Sequence, residues 1–224
     1  MAPKCAVRGS IPEIIRNDEN LYEGNLVHYF RVVFNHAQNL QNPYHNFRHM
    51  LHVTWACFQA CIYYGNEGRL SPRQMRNLLI AALFHDFDHS GMVGNDDLNI
   101  QRSLRGFEKY ILDEDRPFDS DIRKMIWATM YPYEEKSEGL DLCSQIIRDA
   151  DLGQALSVAW IQQVVFGLAA EWGKKPIEVL RSQGQFHSSL RFATEWGREM
   201  FPQEDVDAKI AEARELQELL EELS

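Results

Sequence analysis

Apolar residues recur at helical spacing through most of the chain. Ile14, Ile15, Leu21, Tyr22, Leu26, Val27, Phe30, Val33, Phe34, Ala37 and Leu40 return every three or four positions, which predicts one amphipathic helix or two short ones ending near Gln41-Asn42-Pro43. A second run starts after Pro43, passes His49, Val53, Ala56 and Ala60, and stops at Tyr64, where Gly65-Asn66-Glu67-Gly68 supplies turn chemistry. Ser71-Pro72 pairs an N-cap with proline at the first helical position. It opens a strongly apolar run from Met75 to Phe84, expected to be buried. Further helical patterns cover 97–113, 118–129, 140–152, 155–172, 176–183 and 186–200. No alternating pattern of useful length predicts a strand. The acidic C-terminal stretch carries Ile210, Leu216, Leu219 and Leu220 on one side. It reads as a solvated helix over about 203–222 packed on the domain, with a homodimer left open.

The expectation is therefore a single all-α domain over residues 1–224, with its core at about 12–200. Its helices should be mostly antiparallel, with any site in a central pocket where helix ends meet. A chain of 224 residues with 45% hydrophobic content is long enough for one good core and cramped for two. The formal net charge of -10 argues against a nucleic-acid groove or an anionic membrane surface as partner. It does not exclude a small phosphorylated ligand held through metal ions. No stretch approaches the roughly 18 uninterrupted apolar residues of a membrane helix. The N-terminal residues lack the apolar core of a signal peptide, so a cytoplasmic location is expected. Cys5, Cys57, Cys61 and Cys143 are too few and too scattered for a disulfide framework. Cys57 and Cys61 read as small buried side chains one helical turn apart.

Two clusters carry chemistry. In Tyr44-His45-Asn46-Phe47-Arg48-His49 two histidines lie four apart, which on a helix sets them on one face. In His85-Asp86-Phe87-Asp88-His89 an apolar run ends in two imidazoles and two carboxylates, a costly group to bury without a compensating cation. Nitrogen and oxygen donors with no nearby thiol suit zinc, manganese, iron or magnesium. Asp149-Ala150-Asp151-Leu152 adds acid at the end of another apolar run. Alone, these two aspartates read as helix-end residues. The order His, His-Asp, Asp is a far more specific signal than any one of its parts.

That order resembles the HD superfamily of metal-dependent phosphohydrolases. YHNFRH, HDFDHSG and DADL further resemble the YHNxxHA, HDxDHPG and ADLS motifs of class I cyclic nucleotide phosphodiesterases, and LRGFEKYI, RKMIWAT and Ser182-Gln183-Gly184-Gln185-Phe186 resemble segments of the same family. The likeness covers roughly residues 12 to 200. It implies that His49, His85, Asp86 and Asp151 hold the tighter of two divalent ions, zinc. Asp86 would bridge to a second, magnesium or manganese, held mostly by water. It also implies hydrolysis of a 3',5'-cyclic mononucleotide to the 5'-monophosphate by metal-activated hydroxide, with His45 as general acid. His89 and Asp88 would orient ligands and water around the ions. Tyr44, Asn46, Gln183 and Phe186 would meet the nucleotide, with Phe186 stacking on the base and Gln183 hydrogen-bonding its edge.

The chain departs from the family's pattern in several places. Ser90 replaces a proline, Arg148-Asp149 replaces His-Cys before ADLS, and Met130 stands where an aspartate follows Ala-Thr. The segment between Gly91 and Leu104 is short and lacks paired histidines, leaving Asn95, Asp96, Asp97 and Asn99 for polar work at the second ion. The pattern fits a compact prokaryotic or viral relative. Other HD activities share the metal core: a nucleotide phosphomonoesterase, a dNTPase or a cyclic dinucleotide phosphodiesterase. A metal-containing nucleotide sensor without turnover is the alternative from a different class. His28, His36, His52 and His187 read as packing or surface residues, and Trp160, Trp172 and Trp196 as core or rim aromatics.

Overall fold

A computed structural model describes residues 10–92, 94, 96–133 and 139–221; Cys5 and Asn95 lie outside the described residues. Those residues form an all-α domain of eleven α-helices without a strand. In chain order they are α1 (Ile11–Arg16), α2 (Val27–His36), α3 (Phe47–Asn66), α4 (Pro72–Phe84), α5 (Asp96–Tyr110), α6 (Asp119–Ala128), α7 (Leu142–Gly153), α8 (Gly167–Trp172), α9 (Pro176–Ser189), α10 (Glu195–Met200) and α11 (Gln203–Glu221).

Helix α4 is the hub. Ser71 caps it by accepting from the Gln74 amide while Gln74 answers the Ser71 amide, closing a capping box ahead of Pro72. Every residue from Leu78 to Phe84 is fully buried, because α2, α3, α5, α6 and α7 all pack around it. Each of Leu78, Leu79, Ile80, Leu83 and Phe84 contributes about 1.5–3 kcal/mol of transfer free energy. A second, smaller core gathers Trp160, Val164, Leu168, Val179, Leu180 and Ala213 where α8, α9 and α11 meet. The C-terminal helix thus lies against α9. Cys57, Cys61 and Cys143 are free and buried.

The first predicted run is two short helices, one of its two expected forms, because Asn17 turns the chain in the left-handed region at φ 62°. Two other stretches differ from the sequence expectation. The 155–172 pattern is broken into a 3₁₀ turn (Gln154–Leu156), a π-helical turn (Ile161–Phe166) and α8. The wide turn reorients the face so that Val164 and Val165 reach the core while Phe166 stays exposed. The expected break at 184–185 is absent, since α9 runs through Gly184 to Ser189. The chain breaks instead before Thr194, which caps α10 by accepting from the Gly197 amide. Buried Asp149 fixes that break, accepting from the Ala193 amide, the Thr194 amide and the Thr194 hydroxyl.

Near the start of α4, Arg76 and Asp115 form a fully buried bidentate pair, with both bonds 2.8 Å long. Tyr29 and Arg73 donate to the same carboxylate, and Arg76 also donates to the carbonyls of Glu23 and Asn25. Burial pushes the Asp115 carboxyl up, but the Arg76 and Tyr29 hydrogen bonds outweigh it and hold the group below its ordinary range. Asp115→Ala leaves the buried Arg76 with only the exposed Glu114 carboxylate beside it and is expected to cost about 3–5 kcal/mol. Breaking the exposed Arg16–Asp18 pair by Asp18→Ala is expected to leave stability nearly unchanged, because water screens the two charges. Urea denaturation of both variants checks the contrast.

Candidate active site

Three helix ends meet at one point. His49 stands in the first turn of α3, His85 and Asp86 follow the last turn of α4, and Asp151 lies in the last turn of α7. The Nε2 atoms of His49 and His85 are 3.2 Å apart. Asp151 Oδ1 is 3.1 Å from His49 Nε2, and Asp86 Oδ2 is 3.3 and 3.4 Å from the two imidazoles.

The ring tautomers follow from what lies behind them. His85 Nδ1 donates to the Ala82 carbonyl at 2.8 Å, and His49 Nδ1 donates to Gln154 Oε1 at 2.5 Å. Both Nδ1 protons are spoken for, so two Nε2 lone pairs point at each other and at two carboxylates. Such a set repels itself unless something positive sits in the middle. Buried Asp86 Oδ2 makes no hydrogen bond, although two imidazoles are within reach. Without a metal a proton does part of the work. Burial opposes charging His49, but the Asp151 hydrogen bond and the charges of Asp86 and Asp151 raise it to about 9. Asp86 is held well below its usual range, burial notwithstanding, by His85, His89, His45 and His49. His49, His85 and Asp151 present donor atoms close enough to share one ion, and Asp86 borders them, so the residues present fit a divalent cation.

His45 precedes the helix. Asn46 is the N-cap of α3, so the expectation that His45 and His49 share a helical face fails. The two rings still lie 5.9 Å apart, because another element positions His45. Glu171 of α8 reaches across, taking the His45 Nδ1 proton at 2.5 Å and the amides of Tyr44 and His45 at 2.9 and 3.0 Å. Burial pushes the Glu171 carboxyl up, but these partners hold it below the ordinary range. Gly91 makes room: with φ 72° it adopts a left-handed turn, and a Cβ there would lie 3.0 Å from Glu171 Cγ. Asn39 joins the two clusters by donating to the carbonyls of His45 and Asp86 and accepting from the Asp88 amide.

His89 stacks on His45 with ring centroids 3.8 Å apart. Burial lowers it to about 4, so it is neutral near pH 7. Its Nδ1 accepts from the Gly91 amide, and Asn99 Nδ2 and Asp96 Oδ1 lie 2.9 and 3.9 Å from its Nε2. Asp96 and Asn99 thus come to this side of the site, whereas Asp97 accepts from Gln101 along the helix.

Two expected residues are not where the resemblance put them. Asp88 points away from the cluster of His49, His85, Asp86 and Asp151: its backbone is left-handed, φ 61°, and its Oδ1 accepts from the Gln38 amide. Asn46 is consumed by capping, accepting from the Arg48 and His49 amides and donating to the Asn42 and Pro43 carbonyls, and does not line the pocket.

In front of the cluster opens a pocket of about 470 Å³. One end carries His45, His49, Asp86 and Asp151; Leu152, Val164 and Leu168 make an apolar wall; Tyr44, Gln183 and Phe186 also line it. Gln183 is buried, and its Oε1 has no hydrogen-bond partner. Trp172 sits in the lining, while Trp160 and Trp196 are core residues. His28 bonds the Tyr110 carbonyl, His187 the Ala155 carbonyl, and His52 packs beside Trp55.

Glu171, Gln154, Asn39 and Tyr133, whose hydroxyl donates to Asp151 Oδ2 at 3.3 Å, escape sequence reasoning. None belongs to a recurrent short pattern. The one available signal is Glu171, a lone acid in the otherwise apolar stretch 164–172.

Residues 44–105 match the family described as 3'5'-cyclic nucleotide phosphodiesterase. Over 85 residues the chain is 27% identical to the "cGMP-specific 3',5'-cGMP phosphodiesterase 3" of Dictyostelium discoideum, a similarity covering 38% of this chain and 18% of that protein. The chain therefore spans less than a fifth of the curated relative it matches. The segment similar to the family carries His45, His49, His85, Asp86 and His89 and ends before Asp151, Glu171, Gln183 and Phe186.

Proposed function

We propose that this protein hydrolyses a 3',5'-cyclic mononucleotide to its 5'-monophosphate with divalent cations held by His49, His85, Asp86 and Asp151. The observation that carries the reading is the facing pair of Nε2 lone pairs and carboxylates beside a Glu171-supported His45, in a pocket that also offers apolar and amide side chains. Bound there, zinc with magnesium or manganese would activate water and neutralise charge on the phosphate.

The chain's own residues do the rest. Gln154 and the Ala82 carbonyl hold the two imidazoles in the ligating tautomer. Glu171 keeps a proton on His45 Nδ1 and so leaves Nε2 to deliver one to the leaving oxygen. The wall formed by Leu152, Val164 and Leu168 excludes water from the side where a base would lie. Phe186 offers that base a ring face, and the unpartnered Gln183 Oε1 offers an acceptor for a base N–H. A buried acceptor left empty by a wrong base costs about 1–3 kcal/mol, which is enough for selection.

The test is an assay of cyclic mononucleotides, cyclic dinucleotides and 5'-monophosphates side by side with manganese and magnesium. Turnover of cyclic mononucleotides is expected, and turnover of monophosphates alone overturns the reading. His45→Ala is expected to lower kcat by about 10²–10⁴-fold with the metal content unchanged. Asp86→Ala is expected to lose metal and activity together, as elemental analysis of the purified variants would show.

Since His49 is raised to about 9 in the cation-free cluster, it is protonated at pH 7 and must lose that proton to bind metal. Zinc uptake at pH 7 should release about one proton from His49 per ion, and affinity should climb with pH until about 9. An indicator dye in weak buffer reads the release. Without metal the same ring contributes stability that is complete below its ordinary 6.5 and lost as the pH rises through about 9.

A further inference from the structure

A second cavity, of about 550 Å³, lies behind His89, whose ring also borders the first pocket. Its floor is Phe87 with the stacked rings of His36 and Tyr110, centroids 5.1 Å apart. Its rim is cationic. Arg102, Arg105 and Lys109 stand at i, i+3 and i+7 of α5 and all line it.

These three cations lack the neutralising partner that several others on this surface have. Arg16, Arg69, Arg73, Arg123, Lys124 and Lys209 each sit against a carboxylate. Among the described residues, Arg102, Arg105 and Lys109 have no such partner. Arg102 reaches only the Asp88 carbonyl, at 3.4 Å, and Lys109 lies 4.8 Å from the Tyr110 ring centroid. The one carboxylate in the lining, Asp88, has Oδ1 engaged by the Gln38 amide. In a protein of net charge -10, three converging cations around a concavity with one carboxylate form a local reversal of the molecular field. Two guanidinium forks and an ammonium suit a phosphate dianion, which accepts several charge-assisted hydrogen bonds at once.

We infer that this cavity is a second binding site, distinct from the metal-ligand pocket, for a phosphate-bearing anion clasped by Arg102, Arg105 and Lys109. The Tyr110 ring beside the cations would give the base of a nucleotide a stacking surface, and an inorganic phosphate would need the rim alone.

The test is amide NMR of the full chain titrated with inorganic phosphate, with AMP, and with sodium chloride at matched ionic strength. Saturable shifts at Arg102, Arg105, Lys109 and Asp88 are expected with both phosphate and AMP. The double variant Arg105→Ala/Lys109→Ala, two exposed positions, should weaken them at least tenfold. AMP binding tenfold tighter than phosphate identifies a nucleotide as occupant, and equal affinities identify the free anion. Shifts confined to residues around His45 and Phe186, equal shifts with chloride, or an unchanged response in the double variant would overturn the inference.

Discussion

Two imidazole nitrogens that have given their other protons away face two carboxylates across 3–4 Å, and the surrounding architecture exists to keep them there. Left to itself the group would splay, since lone pairs and anions repel in a medium that water hardly screens. The apolar helices resist this by ending at the same place. The rigid packing of α4 within its five neighbours fixes His85 and Asp86, and α3 and α7 are tied to it through one continuous core. That rigidity keeps the donor atoms within reach of one common point, because the cluster cannot relax by moving apart.

Polar side chains inside the helical frame do the fine alignment. Asn39 holds the loop before α3 to the end of α4, Asn42 donates to the His89 carbonyl, and Asn46 caps α3. Each satisfies backbone groups that loops leave open, so the loops are as fixed as the helices they join. Asp88 shows the same economy: its turn lets the peptide reverse after Asp86 and sends the carboxylate outward, away from a centre already rich in negative charge.

How much could be read from the residues alone follows from the range of the forces involved. Helical periodicity is local, so α4 and its capping box were legible from Ser71, Pro72 and the apolar run. The meeting of His49, His85, Asp86 and Asp151 was legible from the order His, His-Asp, Asp at the ends of apolar runs. The π-helical turn at Ile161–Phe166 was not, since it answers to packing against α9. Nor was the break before Thr194, which depends on a carboxylate 45 residues upstream. Asn46 and Asp88 were misread for one reason: membership of a motif names a residue without saying which way its side chain turns. Glu171 left only the mark of a lone acid in an apolar stretch, because its partner is 126 residues away.

Glu171 and the cluster of His49, His85, Asp86 and Asp151 are carried by different parts of the molecule. His49, His85 and Asp86 are mounted on the large core, whereas α8 rides on the smaller one with α9 and α11. Loosening the smaller core would therefore release the Glu171 brace on His45 while the cluster of His49, His85, Asp86 and Asp151 stays seated in the larger one, so the two halves of the site can be lost separately.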